Sequence, residues 1–186
     1  NDISGNSKNT TQSNLTNKPI WISDEINTHP VIRFDGVNDY LNGTNLGANE
    51  QEISIFIVSR FNSNKQSYLN TLLTQNTDAG TRFTVYSLPN TDNKLIYDVY
   101  PPSTSGTGLE SYGNEFFKIT SIISDSTNSK IYSNGVLNDQ KTSEDHIGAD
   151  TELLIGNYTS DNTNHVLDGD IAEILIYNQP LTDSLR

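Results

Sequence analysis

The stretch ISIFIVSRF, at residues 53–61, consists mostly of β-branched and aromatic residues, and its polar positions show no helical spacing. Such side chains favour extended backbone, and a short apolar run of this kind is typical of a strand buried in a sheet. We therefore predict a buried strand here. Six further runs of the same character predict strands at residues 82–88, 94–100, 116–124, 130–135, 152–156 and 170–178.

The segments between these runs are rich in turn-forming residues, as in NTDAGT, LPNTDN and PPSTSGTG. Gly, Pro, Asn and Asp interrupt a helix before it nucleates, and Asn134-Gly135 predicts a two-residue hairpin turn. Many short strands at short spacing predict an antiparallel sandwich or barrel. We expect residues 101–113 to form a surface loop. Thr182, which follows Pro180, is expected to cap the start of a short C-terminal helix.

The composition excludes several classes of protein. The chain has 186 residues, which predicts one domain over residues 1–186, and it has no cysteine for disulfides or thiolate metal sites. A net charge of -12 disfavours nucleic acid, because affinity for phosphate comes from Lys and Arg. No apolar run reaches the ~20 residues that cross a bilayer. The beginning NDISGN, without Met or a signal peptide, predicts a piece of a longer protein, and the abundance of Asn, Ser and Thr is typical of secreted or surface proteins.

Seven segments, in order, carry a family resemblance: NDISGNSKNTTQ, KPIW, VIRFDGVNDYL, SIFIVSRF, KIYSNGVL, LLIGN and LDGDIAEILIYNQPLTDSLR. They resemble the laminin-G-like domains of the concanavalin A-like lectin and glucanase superfamily. The resemblance implies a jelly-roll sandwich of two curved antiparallel sheets in a module of a secreted or surface protein. It also implies glycan recognition or adhesion, often near a bound calcium ion. A strand commonly precedes the first segment in that family, and its absence here agrees with the expectation that the chain is a fragment of a longer protein.

The acids do not have the spacing of a glycosidase. Retaining enzymes need two carboxylates ~5 Å apart, and the family's glucanases place them in an E-x-D-x-x-E pattern. The nearest set here is Asp168, Asp170 and Glu173, which does not match. The three histidines lie in polar, turn-like surroundings without a nucleophile-elbow motif. We therefore expect no catalytic residues and no enzymatic activity.

Loops rich in Asp and Asn are candidates for a calcium site, since calcium takes six to eight oxygen ligands. One candidate set comprises Asp35, Asn38 and Asp39, and another comprises Asp168 and Asp170. A further cluster comprises Asp161, Asn162 and Asn164. The alternative is turn chemistry, because these residues also bond their own backbone. The 23 acidic residues outnumber the 11 basic residues, and this surplus of negative charge favours binding of a cation.

Glu173 lies between apolar neighbours in the run DIAEILIYN. Strict alternation places Glu173 on the same face as Ile171, Leu175 and Tyr177. A carboxylate in apolar surroundings must be hydrogen-bonded or paired. We favour a buried brace that pairs with Arg33 over a ligand-binding role.

Tyrosines are the candidate platforms for sugar rings, whose C–H faces stack on aromatic side chains. Tyr86, Tyr97 and Tyr100 are on adjacent predicted strands, and Tyr112 and Tyr158 are near loops. The alternative for each is a place at the edge of the core. We expect Trp21 to lie in the core.

The sequence favours a non-catalytic recognition or adhesion module that binds carbohydrate with calcium. Its partners would be glycans or surface proteins, and its location extracellular, on a cell surface or on a virion. One alternative is a spacer or decoration module of a surface layer, fibre or virion that makes protein contacts. A second alternative is the targeting module of a larger glycan-degrading enzyme.

Overall fold

The computed structural model describes residues 2–44, 52–62, 69–77, 82–88, 94–100, 104–111, 116–142, 150–160 and 164–185, with backbone only at 77, 99, 100, 104–111 and 150. These residues contain fourteen strands and one short 3-10 helix, Leu15–Asn17. The strands are β1 Thr10–Thr11, β2 Ile20–Ile26, β3 His29–Asp35, β4 Leu41–Gly43, β5 Ile53–Phe61, β6 Asn70–Thr77, β7 Arg82–Leu88, β8 Lys94–Tyr100, β9 Thr104–Ser111, β10 Lys118–Ser124, β11 Asn128–Ser133, β12 Val136–Thr142, β13 Asp150–Ile155 and β14 Asp168–Tyr177.

The strands form two antiparallel sheets. Sheet A has the order β1-β4-β13-β6-β7-β8-β9, and sheet B has the order β12-β11-β10-β5-β14-β3-β2. The predicted all-β antiparallel sandwich is confirmed. Within the described residues, no helix is long and apolar enough to cross a membrane.

The core lies between the two sheets and is built from alternate residues of each strand. In the central strand β5 of sheet B, Ile53, Ile55 and Ile57 are fully buried. In β7 of sheet A, Phe83 and Val85 are equally buried and belong to the same apolar cluster. Because side chains alternate across a strand, the intervening residues of each strand point to the outer face of its sheet.

Local turn chemistry fixes the hairpin between β11 and β12. Asn134 and Gly135 have φ values of 48° and 83°, the left-handed region that a two-residue hairpin turn of type I′ requires. The predicted hairpin is therefore present.

The expected C-terminal helix is absent from the described residues. A single turn forms instead, in which the Leu185 N–H donates to the Thr182 carbonyl over 2.9 Å. One hydrogen bond does not offset the cost of a helix nucleus. The preceding chain is held elsewhere, because the Ser54 hydroxyl donates to the Gln179 carbonyl and accepts from the Leu181 N–H, each over 2.8 Å.

Two further expectations were wrong. The segment predicted as a surface loop contains β9, which pairs with β8 through backbone hydrogen bonds that need no apolar side chains. Trp21 is 65% exposed rather than in the core. It lies on β2, an edge strand of sheet B, and therefore has strand neighbours on one side only.

A β-bulge in β14 changes which side chains face the core. The register shifts between Ile171 and Glu173, so Ile171 is buried while Ile174, beyond the bulge, also packs against the core. Glu173 is exposed on the outer face of sheet B. The interpretation of Glu173 as a buried brace for Arg33 is wrong, because the bulge turns its side chain outward.

Candidate functional site

The partner of Arg33 is Asp170, whose side chain is completely buried. Arg33 Nε donates to Asp170 Oδ1 over 2.7 Å and Arg33 Nη2 donates to Oδ2 over 3.0 Å. Arg60 also donates to Oδ2, and Glu25 joins both guanidinium groups. Burial alone would raise the pKa of Asp170, but the hydrogen bonds from Arg33 and Arg60 outweigh it and hold the pKa below its usual value.

This network corrects the prediction of Asp170 as a calcium ligand. Both of its carboxylate oxygens already accept hydrogen bonds from arginine, and two positive charges repel a cation from the same place. Asp170 is therefore a structural anion that holds β3, β5 and β14 together.

Three of the four remaining predicted calcium ligands meet at a different place, whose lining does not include Asn38. Asp35, Asp39 and Asp168 line an open cleft with a volume of about 380 Å³ at one end of sheet B, and Asp168 is paired in register with Asp35. Two basic residues, Lys18 and Arg33, line the same cleft, so its three carboxylates outnumber its cations by one. Asp35 Oδ1 accepts from the Val37 and Asn38 backbone N–H groups over 2.8 and 3.2 Å. The sequence therefore correctly placed Asp35, Asn38 and Asp39 in one turn, and the fold adds Asp168.

The electrostatics of this acidic cleft leave calcium binding as a prediction. Burial raises the pKa of Asp39, and the charge of Asp35 acts in the same direction, against a hydrogen bond from the Asp35 N–H. Within the described chain, no three Asp, Glu or His side chains are arranged to hold a metal ion. A calcium ion here would need amide or carbonyl oxygens and water to complete its ligands. Asp161 and Asn162 lie outside the described residues, and Asn164 is exposed.

The predicted tyrosines fall into different environments. Tyr97 is 4% exposed and its ring lies 5.6 Å from that of Phe83 in the core, so its prediction as a sugar platform is wrong. It lies on the inward-facing side of β8. For Tyr100 only the backbone is described, and Tyr112 lies outside the described residues. Tyr86 and Tyr158 both lie in a mixed aromatic and polar group.

We call this group the tyrosine cluster, and define it as Arg82, Tyr86, Asp98, Tyr158 and His165. Arg82 and Tyr86 alternate with the core residues of β7 and so point outward from sheet A, and Asp98 does the same in β8. The chain after β13 contributes the other two members. The Arg82 guanidinium carbon lies 4.3 Å from the centre of the Tyr158 ring, and the His165 ring meets Tyr158 edge-on at 5.2 Å.

Interactions within the tyrosine cluster shift three pKa values. Burial, with the nearby Asp98 and Tyr158, raises the pKa of Tyr86 to about 12. Burial raises the pKa of Asp98, and Arg82 opposes this. Burial and the positive charge of Arg82 lower the pKa of His165, so the imidazole is neutral at pH 7. The formal charges of the cluster are therefore one guanidinium and one carboxyl group.

Asp98 of the tyrosine cluster also ends a row of polar residues paired across three strands, which comprises Thr74, Thr84 and Asp98. The two threonine hydroxyls and Asp98 Oδ1 are buried and have no hydrogen-bond partner among the described residues. Buried polar groups in this state usually bind ordered water. Sequence reasoning missed Arg82, Asp98 and His165; the alternation of polar and apolar residues in β7 and β8 was the available signal for the first two.

The outer face of sheet B carries an apolar groove of about 500 Å³. Phe56, Val58 and Leu175 are among its lining residues, and Ile119, also in the lining, is 47% exposed. Glu173 also lines this groove. The tyrosine cluster on sheet A is therefore a mixed aromatic and polar group, whereas this groove on sheet B is largely apolar.

Comparison with known proteins identifies both fold and family. A laminin G model of the concanavalin A-like lectin/glucanases superfamily matches residues 35–184. No curated protein sequence matches significantly.

Three solved structures illustrate the similarity of the fold. Domain 4 of an extracellular GH43 arabinanase from Geobacillus stearothermophilus, in complex with arabinotriose, has a TM-score of 0.73 and 17% identity over 90% of this chain and 79% of that chain. Domains LG4-5 of the mouse laminin alpha1 chain have a TM-score of 0.66 and 11% identity over 89% of this chain and 44% of that chain. The botulinum neurotoxin serotype G binding domain has a TM-score of 0.71 and 16% identity over 98% of this chain and 46% of that chain. The chain thus spans less than half of the latter two.

Proposed function

The chain belongs to the concanavalin A-like lectin/glucanases superfamily, and we propose that it is a non-catalytic recognition module that binds carbohydrate at the tyrosine cluster. The observation that carries this proposal is the arrangement of Arg82, Tyr158 and His165 in direct contact on the outer face of sheet A. Extracellular exposure of the module, on a cell surface or a virion, is part of the proposal.

The tyrosine cluster has the two kinds of group that sugar recognition needs. Aromatic rings take the apolar C–H face of a sugar, and convergent polar groups bond its hydroxyls. Tyr158 is held in place by Arg82 and His165, so its ring loses little further freedom when a ligand binds.

The known ligand of one structural neighbour supports the proposal. The arabinanase domain was solved with arabinotriose, which makes this oligosaccharide the first probe for the present chain. A role as the targeting module of a larger glycan-degrading enzyme is consistent with that neighbour.

The test measures binding of arabinotriose and of a glycan array to the wild type and to Tyr158→Ala. We expect the variant to bind about fivefold more weakly or worse, because loss of one stacking ring costs on the order of 1 kcal/mol or more. Tyr177→Ala is the matched control, since Tyr177 is 41% exposed on the opposite sheet. Equal losses in both variants, or no glycan bound by the wild type, would refute the proposal.

Calcium binding at the acidic cleft is a second proposal, supported by Asp35, Asp39 and Asp168 lining one cleft. Calcium that binds only the folded state raises its stability. Titration with calcium after treatment with a chelator, followed by thermal unfolding, tests it directly. An unchanged melting temperature at millimolar calcium would contradict it.

A spacer or decoration module that makes protein contacts is the second candidate function. The apolar groove favours it, because contiguous exposed apolar surface often marks a protein interface. Leu175→Lys separates the two functions: a charge in the groove disrupts protein assembly but leaves glycan binding at the tyrosine cluster intact.

A further inference from the structure

The charges of the tyrosine cluster bear on the class of glycan that the module accepts. Arg82 is its single cationic member at neutral pH, because the pKa of His165 is lowered. The guanidinium of Arg82 lies against the Tyr158 ring and interacts electrostatically with Asp98. Its positive charge is therefore already balanced within the described part of the site, and an anionic ligand gains little from it.

Asp98 acts in the opposite sense on an anionic ligand. Its Oδ1 atom has no hydrogen-bond partner among the described residues, and burial raises the pKa of the carboxyl group. Arg82 offsets this cost of the negative charge only in part, so a second negative charge beside the carboxyl group adds repulsion. A sugar hydroxyl, by contrast, donates a hydrogen bond to a carboxylate directly or through a bridging water.

The charge of the whole chain adds a long-range contribution of the same sign. With 23 acidic and 11 basic residues, the net charge of -12 repels polyanions at distances up to the Debye length.

We infer that the tyrosine cluster selects neutral, hydroxyl-bearing glycans and rejects glycans that carry carboxylate or sulfate groups near the binding position. This inference rests on the proposed function and specifies its ligand class. A single added negative charge at a distance of ~8 Å from Asp98, at an effective dielectric constant of ~20, corresponds to roughly tenfold or more weaker binding at ~0.01 M salt, where the Debye length is ~30 Å, and to about fivefold weaker binding at ~0.1 M salt.

The experiment uses an array of matched pairs, in which each neutral hexose oligosaccharide is paired with its uronic acid form. For every neutral member that binds, we expect the uronic acid member to bind at least about tenfold more weakly at low salt. The difference should shrink as NaCl is raised, while neutral binding stays constant. A uronic acid member that binds as tightly as its neutral partner would overturn the inference but leave carbohydrate binding intact. If no member of any pair binds, the proposed function fails first, and the inference fails with it.

Asp98→Asn tests whether discrimination arises at the site itself. This substitution keeps the shape of the side chain and removes its charge, so we expect the uronic acid member to regain most of its lost affinity. Glu173→Gln is the matched control, because it removes one carboxylate from the opposite sheet. Equal gains in both variants would mean that net charge alone discriminates, and would overturn the assignment to the tyrosine cluster. The salt dependence of the wild type tests the inference even if Asp98→Asn does not fold.

Discussion

Replacing Asp170 by Asn removes a fully buried negative charge that two guanidinium groups share. We expect Asp170→Asn to lower the free energy of unfolding by about 3 kcal/mol, at the lower end of the range for breaking a buried ion pair. The reason is that Arg33 and Arg60 would be left side by side with only the partly exposed Glu25 to balance their two charges.

The magnitude follows from the contacts. Arg33 makes two hydrogen bonds to Asp170, of 2.7 and 3.0 Å, and Arg60 Nε makes one of 3.1 Å. A hydrogen bond to a charged group contributes about 1.5–3 kcal/mol. Asn keeps one acceptor oxygen and turns a donor amide towards a guanidinium, so at least one such bond is lost. The arginine side chains are 32% and 19% exposed, and water therefore compensates part of the loss.

Urea unfolding at pH 7, followed by far-ultraviolet circular dichroism, measures the effect. Fluorescence of Trp21 is less suitable, because that side chain is already 65% exposed in the folded state. Glu173→Gln, on the same strand but exposed, is the control and should change the free energy by less than about 0.5 kcal/mol. A loss below about 1 kcal/mol for Asp170→Asn would refute the view that this network holds three strands together.

The stability that Asp170 contributes is expected to depend on pH. The pKa of Asp170 is lowered from 3.8 in the folded state, so the unfolded chain binds the proton more tightly. Its contribution is therefore fully present above 3.8 and is lost as the pH falls through the lower, folded value. The difference in stability between wild type and Asp170→Asn should be constant from neutral pH down to that region and then shrink. If the difference in stability between wild type and Asp170→Asn grew as the pH fell, the pKa of Asp170 would be raised on folding and not lowered.

Three further predictions concern backbone conformation and the acidic cleft. Gly156→Ala should destabilise strongly, by more than about 3 kcal/mol, because φ is +86° and the added Cβ would lie 2.3 Å from the buried Phe34 ring; urea unfolding measures it. Gly135→Ala, with φ +83° but open space around it, should cost only about 1–2 kcal/mol in the same assay, and equal losses would show that the clash is relieved. Asp39→Asn should leave stability at pH 7 unchanged or higher without calcium, since the raised pKa means that the charged form opposes folding, and it should abolish any calcium-dependent rise in melting temperature. Retention of that rise would place calcium elsewhere.

Two strands that the sequence did not predict, β6 and β9, lack a local apolar pattern. Strand β6 is central in sheet A, yet its run NTLLTQNT is largely polar, and Thr71, Thr74 and Gln75 are completely buried. Their burial depends on the surrounding tertiary structure, which the local sequence does not specify. Strand β9 was missed for a similar reason, because it is defined by its pairing with β8.

The candidate sites divide in the same way. Asp35, Asn38 and Asp39 lie within one turn, where local hydrogen bonds to Asp35 Oδ1 bring them together, and the sequence predicted this group. Tyr86 and Tyr158 were predicted singly, but their association with Arg82 and His165 was not. Contacts between residues distant in the chain depend on which strands pair, and alternation within one strand does not contain that information.

The sequence alone determined that the chain is built from short strands and turns, since β-branched runs and Asn-Gly or Pro-containing turns act on the nearest residues. The tertiary structure alone decided which of the buried or exposed polar groups meet. Asp170 joins residues 137 and 110 positions away, and the bulge beside it turns Glu173 from the expected core face to solvent. A shift of one residue in register exchanges the two faces of a strand, and that shift is set by packing against distant strands.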